Sequence, residues 1–309
     1  MENVAIDDLF ERRVDYPDSD AKHRLARLVG IDEAKERLAK VLAVLVNPTG
    51  PKTWADKFHD GAPTLLDYLA RRPPLVILSG DVGSGKTELA ETIGDAVARS
   101  EHIDVTLFPM SLSTRGAGRV GEMTKLVSAA FDTVIDHGKK LARDEKKAMG
   151  GAILLIDEGD ALTQSRESAQ MHHEDRAGVN AFIRGIDRLS KKRYPVAVVL
   201  CTNRVSAIDP AVLRRASEIF KFNRPNAEQR KSVLGGPLAE AGLENEQIDE
   251  VVALTGDGAG GIPGFTYSDL TQRLLPLLIL DAYPTKAISF SRTIELVRCM
   301  KPTPQFKQE

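Results

Sequence analysis

Cysteine is nearly absent from this chain: Cys201 and Cys299 are the only two in 309 residues, far apart and in no C-x-x-C pair. That excludes a disulfide framework and a thiolate zinc site, and it fits a reducing compartment, the cytoplasm. An excess of charge is missing too, with 42 Lys+Arg against 44 Asp+Glu and a formal net charge of -2. Such a balance gives no support to nucleic acid or an anionic membrane as the main partner. No run approaches the ~18 apolar residues of a membrane span, and the N-terminus, MENVAIDDLFERR, has no apolar signal-peptide core. Repeats and low-complexity tracts are also lacking.

The hydrophobic share of 42% and charged share of 28% are those of an ordinary globular chain long enough for a large domain and a smaller one. Residues 1–24 are polar and read as a short peripheral extension. LARLVGIDEAKERLAKVLAVLV, from Leu25, carries apolar residues at helical spacing after a break at Gly30, and Asn47, Pro48, Gly50 and Pro51 end it. A looser region, 47–74, closes with Pro73-Pro74. Four short apolar runs follow, LVILSG, DVTLFPM, AILLIDE and AVVLCTN, separated by helical or polar sequence. Strands alternating with helices predict an α/β fold, a parallel sheet with helices on both faces, over 25–224. Beyond Phe222 there are four helical stretches and no convincing strand, so 225–309 is expected to be a small all-helical domain.

GDVGSGKT, residues 80–87, satisfies G-x-x-x-x-G-K-[ST] and stands between a strand and a helix, the context that this phosphate loop requires. Gly80, Asp81, Val82, Gly83, Ser84 and Gly85 would turn backbone N–H groups toward a nucleotide's phosphates. Lys86 would neutralise the β and γ charge, Thr87 would take a Mg²⁺ position, and Glu88 follows at the helix start. ILLIDE ends a strand in two carboxylates: Asp157 for the metal, through water, and Glu158 to orient the attacking water. Asn203 closes the next strand, where an amide could position that water, although a turn-forming Asn is the commoner reading. A polar turn and short helix, 207–220, carries Arg214 and Arg215, either of which could reach a neighbouring subunit's γ-phosphate. His172, His173 and Glu174 lack the spacing that puts two ligands on one helix face, so no metal site is expected there.

LVGIDEAKERL, GDVGSGKT, RVGEMTKLVSAAF, ILLIDEGDAL, LCTN and DPAVLRRA follow one another in an order that resembles the AAA+ ATPases over residues 25–300. GEMTKLVSAAF, RAGVNAFIRGIDRL and DPAVLRRA are most similar to the pachytene-checkpoint ATPases, which remodel HORMA-domain proteins and have bacterial relatives in anti-phage cyclic-nucleotide signalling. The resemblance implies an AAA+ P-loop NTPase domain followed by a helical lid. It implies ATP and Mg²⁺ as cofactors and a homo-hexamer acting on a HORMA-domain partner. Val29, Gly30 and Ile31 would line the adenine pocket, and Asn203 would be the first sensor. The interface arginine falls on Arg215 by the subfamily pattern, which is preferred slightly, and on Arg214 by the broader one. Arg119 and Val120 would occupy the pore loop, with Arg119 where related remodellers carry an aromatic. Tyr267 stands in a glycine position of the lid motif, and no arginine follows it directly; Arg273 is the nearest. Three rivals stay open: a general unfoldase or protease partner, a DNA-directed loader, and a scaffold that binds ATP without turnover.

Overall fold

A computed structural model describes residue 10 and residues 12–111, 122–142, 150–160, 173–204, 208–258 and 261–305. The chain divides into two compact units, one from Met1–Leu25, Ala34–Ser79 and Thr87–Lys221, the other from Ala26–Glu33, Gly80–Lys86 and Phe222–Glu309.

The first unit is organised by a six-stranded sheet of β1 (Val14–Tyr16), β2 (Leu75–Gly80), β3 (Val105–Ser111), β4 (Gly151–Asp157), β5 (Val196–Thr202) and β6 (Ala216–Phe222), in the order β1-β3-β4-β5-β2-β6. The β3–β4, β4–β5 and β2–β5 pairs are parallel, whereas β1 runs antiparallel to β3. Strands β2, β4 and β5 are buried almost throughout, which is why they read as continuous apolar runs rather than alternating ones.

Around the sheet run α1 (Ser19–Arg27), α2 (Asp32–Val46), α3 (Gly50–Phe58), α4 (Pro63–Ala70), α5 (Lys86–Glu101), α6 (Glu122–Leu141) and α7 (His173–Lys192). Leu75, Ile77, Leu154, Ile156, Val198 and Leu200 share one core with Val127, Phe131 and Val134 of α6 and Val179, Phe182 and Ile186 of α7. Phe131 and Phe182 meet edge to face at 5.8 Å, a contact contributing ~0.5–1.5 kcal/mol beyond the area it buries. Val76, Leu78, Ile153, Leu155, Ala197 and Val199 alternate with the first set and are equally inaccessible. The sheet is therefore covered on both faces.

Three sequence expectations are corrected. Residues 10–24 are not peripheral: Phe10, Tyr16 and Ala21 are buried, Phe10 packs edge-on against Phe108 at 5.2 Å, and Val14 pairs with Leu107. The apolar residues there are too few to show a period. The looser region 47–74 holds two short helices, each opened by a proline, Pro51 and Pro63, a favoured first-turn position. In 207–220 the helix α8 is confined to Pro210–Leu213, capped by Asp209 accepting from the Ala211 N–H at 2.7 Å, and the chain then becomes β6.

The second unit has its own helical core. Helices α9 (Ala227–Glu240), α10 (Asn245–Leu254), α11 (Leu275–Ala282) and α12 (Phe290–Cys299), with a π-helical turn at Asp269–Leu274, bury Leu234, Leu238, Val251, Leu270, Leu274, Ile294 and Val297. Asn226 and Gln229 close a capping box at the start of α9. Pro276, just past the π-turn, has no N–H to continue an α-helical ladder. Among the described residues, no helix is long and apolar enough to cross a membrane.

Candidate nucleotide site

In the second unit, the phosphate loop leaves β2 at Gly80, where a side chain is impossible: a Cβ would lie 2.0 Å from the Phe222 carbonyl oxygen. Gly83 is in the left-handed region at φ +74, and a Cβ there would sit 2.8 Å from Thr266 Oγ1. Its carbonyl accepts the Ser268 N–H at 3.0 Å, so the loop is held directly by the residues ahead of the π-turn. Lys86 is 6% exposed, and its ammonium donates to the Gly80 and Asp81 carbonyls at 2.9 and 2.8 Å and to Ser84 Oγ at 3.2 Å. The charge is thus fixed over the loop's own curve, with narrow glycine turns on either side. That donor set, one ammonium and a ring of backbone N–H groups, fits a polyphosphate.

The same unit contains the segment expected beside the adenine. Val29 is exposed, and the Gly30 carbonyl accepts from Gln229 Nε2 at 2.7 Å and from the Tyr267 hydroxyl at 3.2 Å. Burial, assisted by the Asp32 carboxylate, pushes the Tyr267 phenol up to about 12, so it remains a donor at neutral pH. Ile31 follows, half-buried. Arg273 is engaged with Asp269 at 2.5 Å and with the Lys301 carbonyl at 3.2 Å.

In the first unit the sheet brings four strand ends level. Ser79 of β2 pairs with Thr202 of β5, Ile156 of β4 with Leu200, and Ser111 of β3 with Asp157. Asp157 and Asn203 therefore emerge at one carboxyl edge, where open α/β sheets hold their ligands. Asp157 Oδ1 accepts the Glu158 N–H at 2.8 Å. Glu158 is exposed, with a left-handed φ of 52, a conformation costing a non-glycine residue ~1–3 kcal/mol and concentrated at functional sites. Thr87 is exposed on the first turn of α5, and Glu88 is joined to Arg24 by two bonds of 2.8 Å.

The two arginines differ in their surroundings. Arg215 makes a bidentate pair with Asp187 of α7 at 2.7 and 3.0 Å and donates to the Ala211 carbonyl, and the Asp187 bonds hold its pKa above the ordinary arginine value. Arg214 is exposed, and among the described residues its side chain donates to the Pro210 carbonyl alone, at 3.3 Å. Arg119, Val120 and His172 lie outside the described residues.

Two residues that sequence reasoning missed complete the local structure. Asp160 accepts from Thr202 Oγ1 at 2.5 Å and from the Asn203 N–H at 3.3 Å, tying the turn after β4 to the end of β5. Arg224 joins Asp81 of the loop at 2.7 Å. Nothing in the local sequence marks either, because each partner is far away along the chain.

Residues 76–224 match the family model of the ATPase family associated with various cellular activities (AAA). The chain is 60% identical over 302 residues to CD-NTase-associated protein 6 of Escherichia coli (strain MS 115-1), covering 98% of this chain and 97% of that protein. A solved structure described as the E. coli MS115-1 HORMA:CdnC:Trip13 complex contains a chain 58% identical, with a TM-score of 0.90 and coverage of 98% and 99%. Rhizobiales Trip13 is 49% identical with a TM-score of 0.75, over 96% of this chain and 99% of that one. Matched along nearly their whole length to such proteins, with the AAA model spanning both the phosphate loop and the acidic edge of the sheet, the chain belongs to the AAA ATPase family and is an ATPase.

Proposed function

We propose that the chain hydrolyses ATP at the interfaces of a homo-hexamer in the cytoplasm and uses the cycle to change the conformation of, or disassemble, a HORMA-domain protein. The observation that carries the partner is the 58%-identical chain, TM-score 0.90, in a complex that also contains a HORMA protein and CdnC. The CD-NTase association in the name of the 60%-identical relative supports a setting in anti-phage cyclic-nucleotide signalling.

Within one subunit, residues 25–224 would form the catalytic domain and 225–309 the lid. Lys86 and the loop N–H groups hold the β and γ phosphates, while Gly30 and Ile31 flank the base. The Thr87 hydroxyl and, through water, the Asp157 carboxylate would hold Mg²⁺, hard oxygen donors suited to it, and the ion would supply charge neutralisation on the transferred phosphoryl group. Glu158 orients and polarises the attacking water, and Asn203 holds it in line. A neighbouring subunit supplies an arginine against the charge that develops. Arg214 can do so at once, whereas Arg215 must exchange Asp187 for the phosphate. Arg119 and Val120 would contact the substrate in the pore.

Glu158→Gln tests the reading. The variant should bind ATP and retain a HORMA-domain protein in an ATP-dependent complex. Equal capture of an unrelated unfolded protein would favour a general unfoldase instead, and capture without ATP would remove the link between nucleotide and partner.

A further inference from the structure

Asp81 places a carboxylate inside the loop that must accept a triphosphate. One of its oxygens, Oδ1, accepts the Val82 N–H at 3.0 Å and so shapes the turn. The other, Oδ2, accepts from Nε of Arg224 at 2.8 Å and lies 2.7 Å from Nη2 in the ion pair. The remaining reach of Arg224 goes to backbone: Nη1 donates to the Gly264 carbonyl at 2.6 Å and Nη2 to the Thr303 carbonyl at 2.7 Å. The two side chains are only 9% and 13% exposed, so solvent screens them weakly and the pairing matters more than at a surface.

We propose that Arg224 is a positioning residue of the phosphate loop: it cancels the Asp81 charge that would otherwise repel the triphosphate, and it fixes the carboxylate that holds the Val82 turn. Its three nitrogens are all bonded to protein oxygens, so it acts through Asp81 and not on the phosphates. Because Gly264 precedes the π-turn and Thr303 follows α12, the same guanidinium ties the loop's charge balance to the C-terminal segment. The inference rests on the loop being the ATP site.

The test measures the Kd of a fluorescent ATP analogue and saturated turnover for the native chain, Arg224→Gln, and the double variant Arg224→Gln/Asp81→Asn. Arg224→Gln leaves an uncompensated carboxylate near the phosphates, and its Kd should rise by about tenfold or more, while kcat at saturation falls far less. The double variant removes the stranded charge and should recover a Kd within about threefold of native. It leaves no buried charge unpaired, so it serves the test even if Arg224→Gln alone does not fold. Unchanged affinity in Arg224→Gln, or a double variant weaker than that threefold limit, would overturn the proposal. Failure of the native chain to bind the analogue would instead overturn the reading of the loop itself.

Discussion

The Thr202 hydroxyl and the Asp160 carboxylate meet at 2.5 Å, joining the end of β5 to the turn that follows β4. The same carboxylate oxygen receives the Asn203 N–H. Glu158 and Asn203, the residues proposed to handle the attacking water, are therefore carried by two strand ends fastened through one side chain. Asp160→Ala should leave the buried Thr202 hydroxyl without its acceptor, a loss of about 1–3 kcal/mol. It should lower turnover more than ATP affinity. Denaturant unfolding together with kcat and KM checks both; an equal effect on affinity and turnover would place Asp160 in binding instead.

The two arginines are separable by mixing subunits. If one acts across an interface, Lys86→Ala subunits mixed with arginine-variant subunits should recover activity that neither shows alone. Arg214→Ala should complement in this way without loss of stability, because among the described residues its side chain makes a single long bond, to backbone. Arg215→Ala should cost stability as well, since it strands Asp187. Recovery with Arg215→Ala but not Arg214→Ala would assign the trans role to Arg215.

Much of the fold and of the phosphate loop is legible in the sequence. Strands β2 to β5 are buried on both faces, so each shows as an apolar run whatever its neighbours are. The loop glycines are likewise demanded by local geometry, Gly80 by its approach to Phe222 and Gly83 by its φ. What escaped depends on distant partners. The three residues of β1 form only against β3, nearly a hundred positions on. In β6, ASEIFKF buries only Phe220 and Phe222, and with Ile219 adjacent to Phe220 the sequence shows no clean apolar–polar alternation, so 207–220 reads as a polar turn and short helix. Asp160 and Arg224 acquire their meaning from Thr202 and Asp81, and neither spacing is a motif.

Asp269 gives a pH dependence that can be checked. Burial alone would raise its pKa, but the N–H groups of Thr266 and Thr303, the Thr303 hydroxyl and Arg273 overcome this and hold it below the usual carboxylate range. Its stabilisation is therefore complete above the unfolded value of about 4 and is lost as pH falls through the lower folded value. Asp269→Asn should flatten the decline of melting temperature on the acid side of pH 4. A native-like decline in the variant would mean that other carboxylates dominate.

Release of a HORMA-domain protein from a preassembled complex with CdnC, the pair found with the 58%-identical relative, tests the proposed activity most directly. Labelled HORMA protein is followed after the native chain and ATP are added, beside Glu158→Gln with ATP and the native chain with ADP. Remodelling driven by hydrolysis predicts release with the native chain and ATP only. Equal release by Glu158→Gln, or by the native chain with ADP, would contradict it.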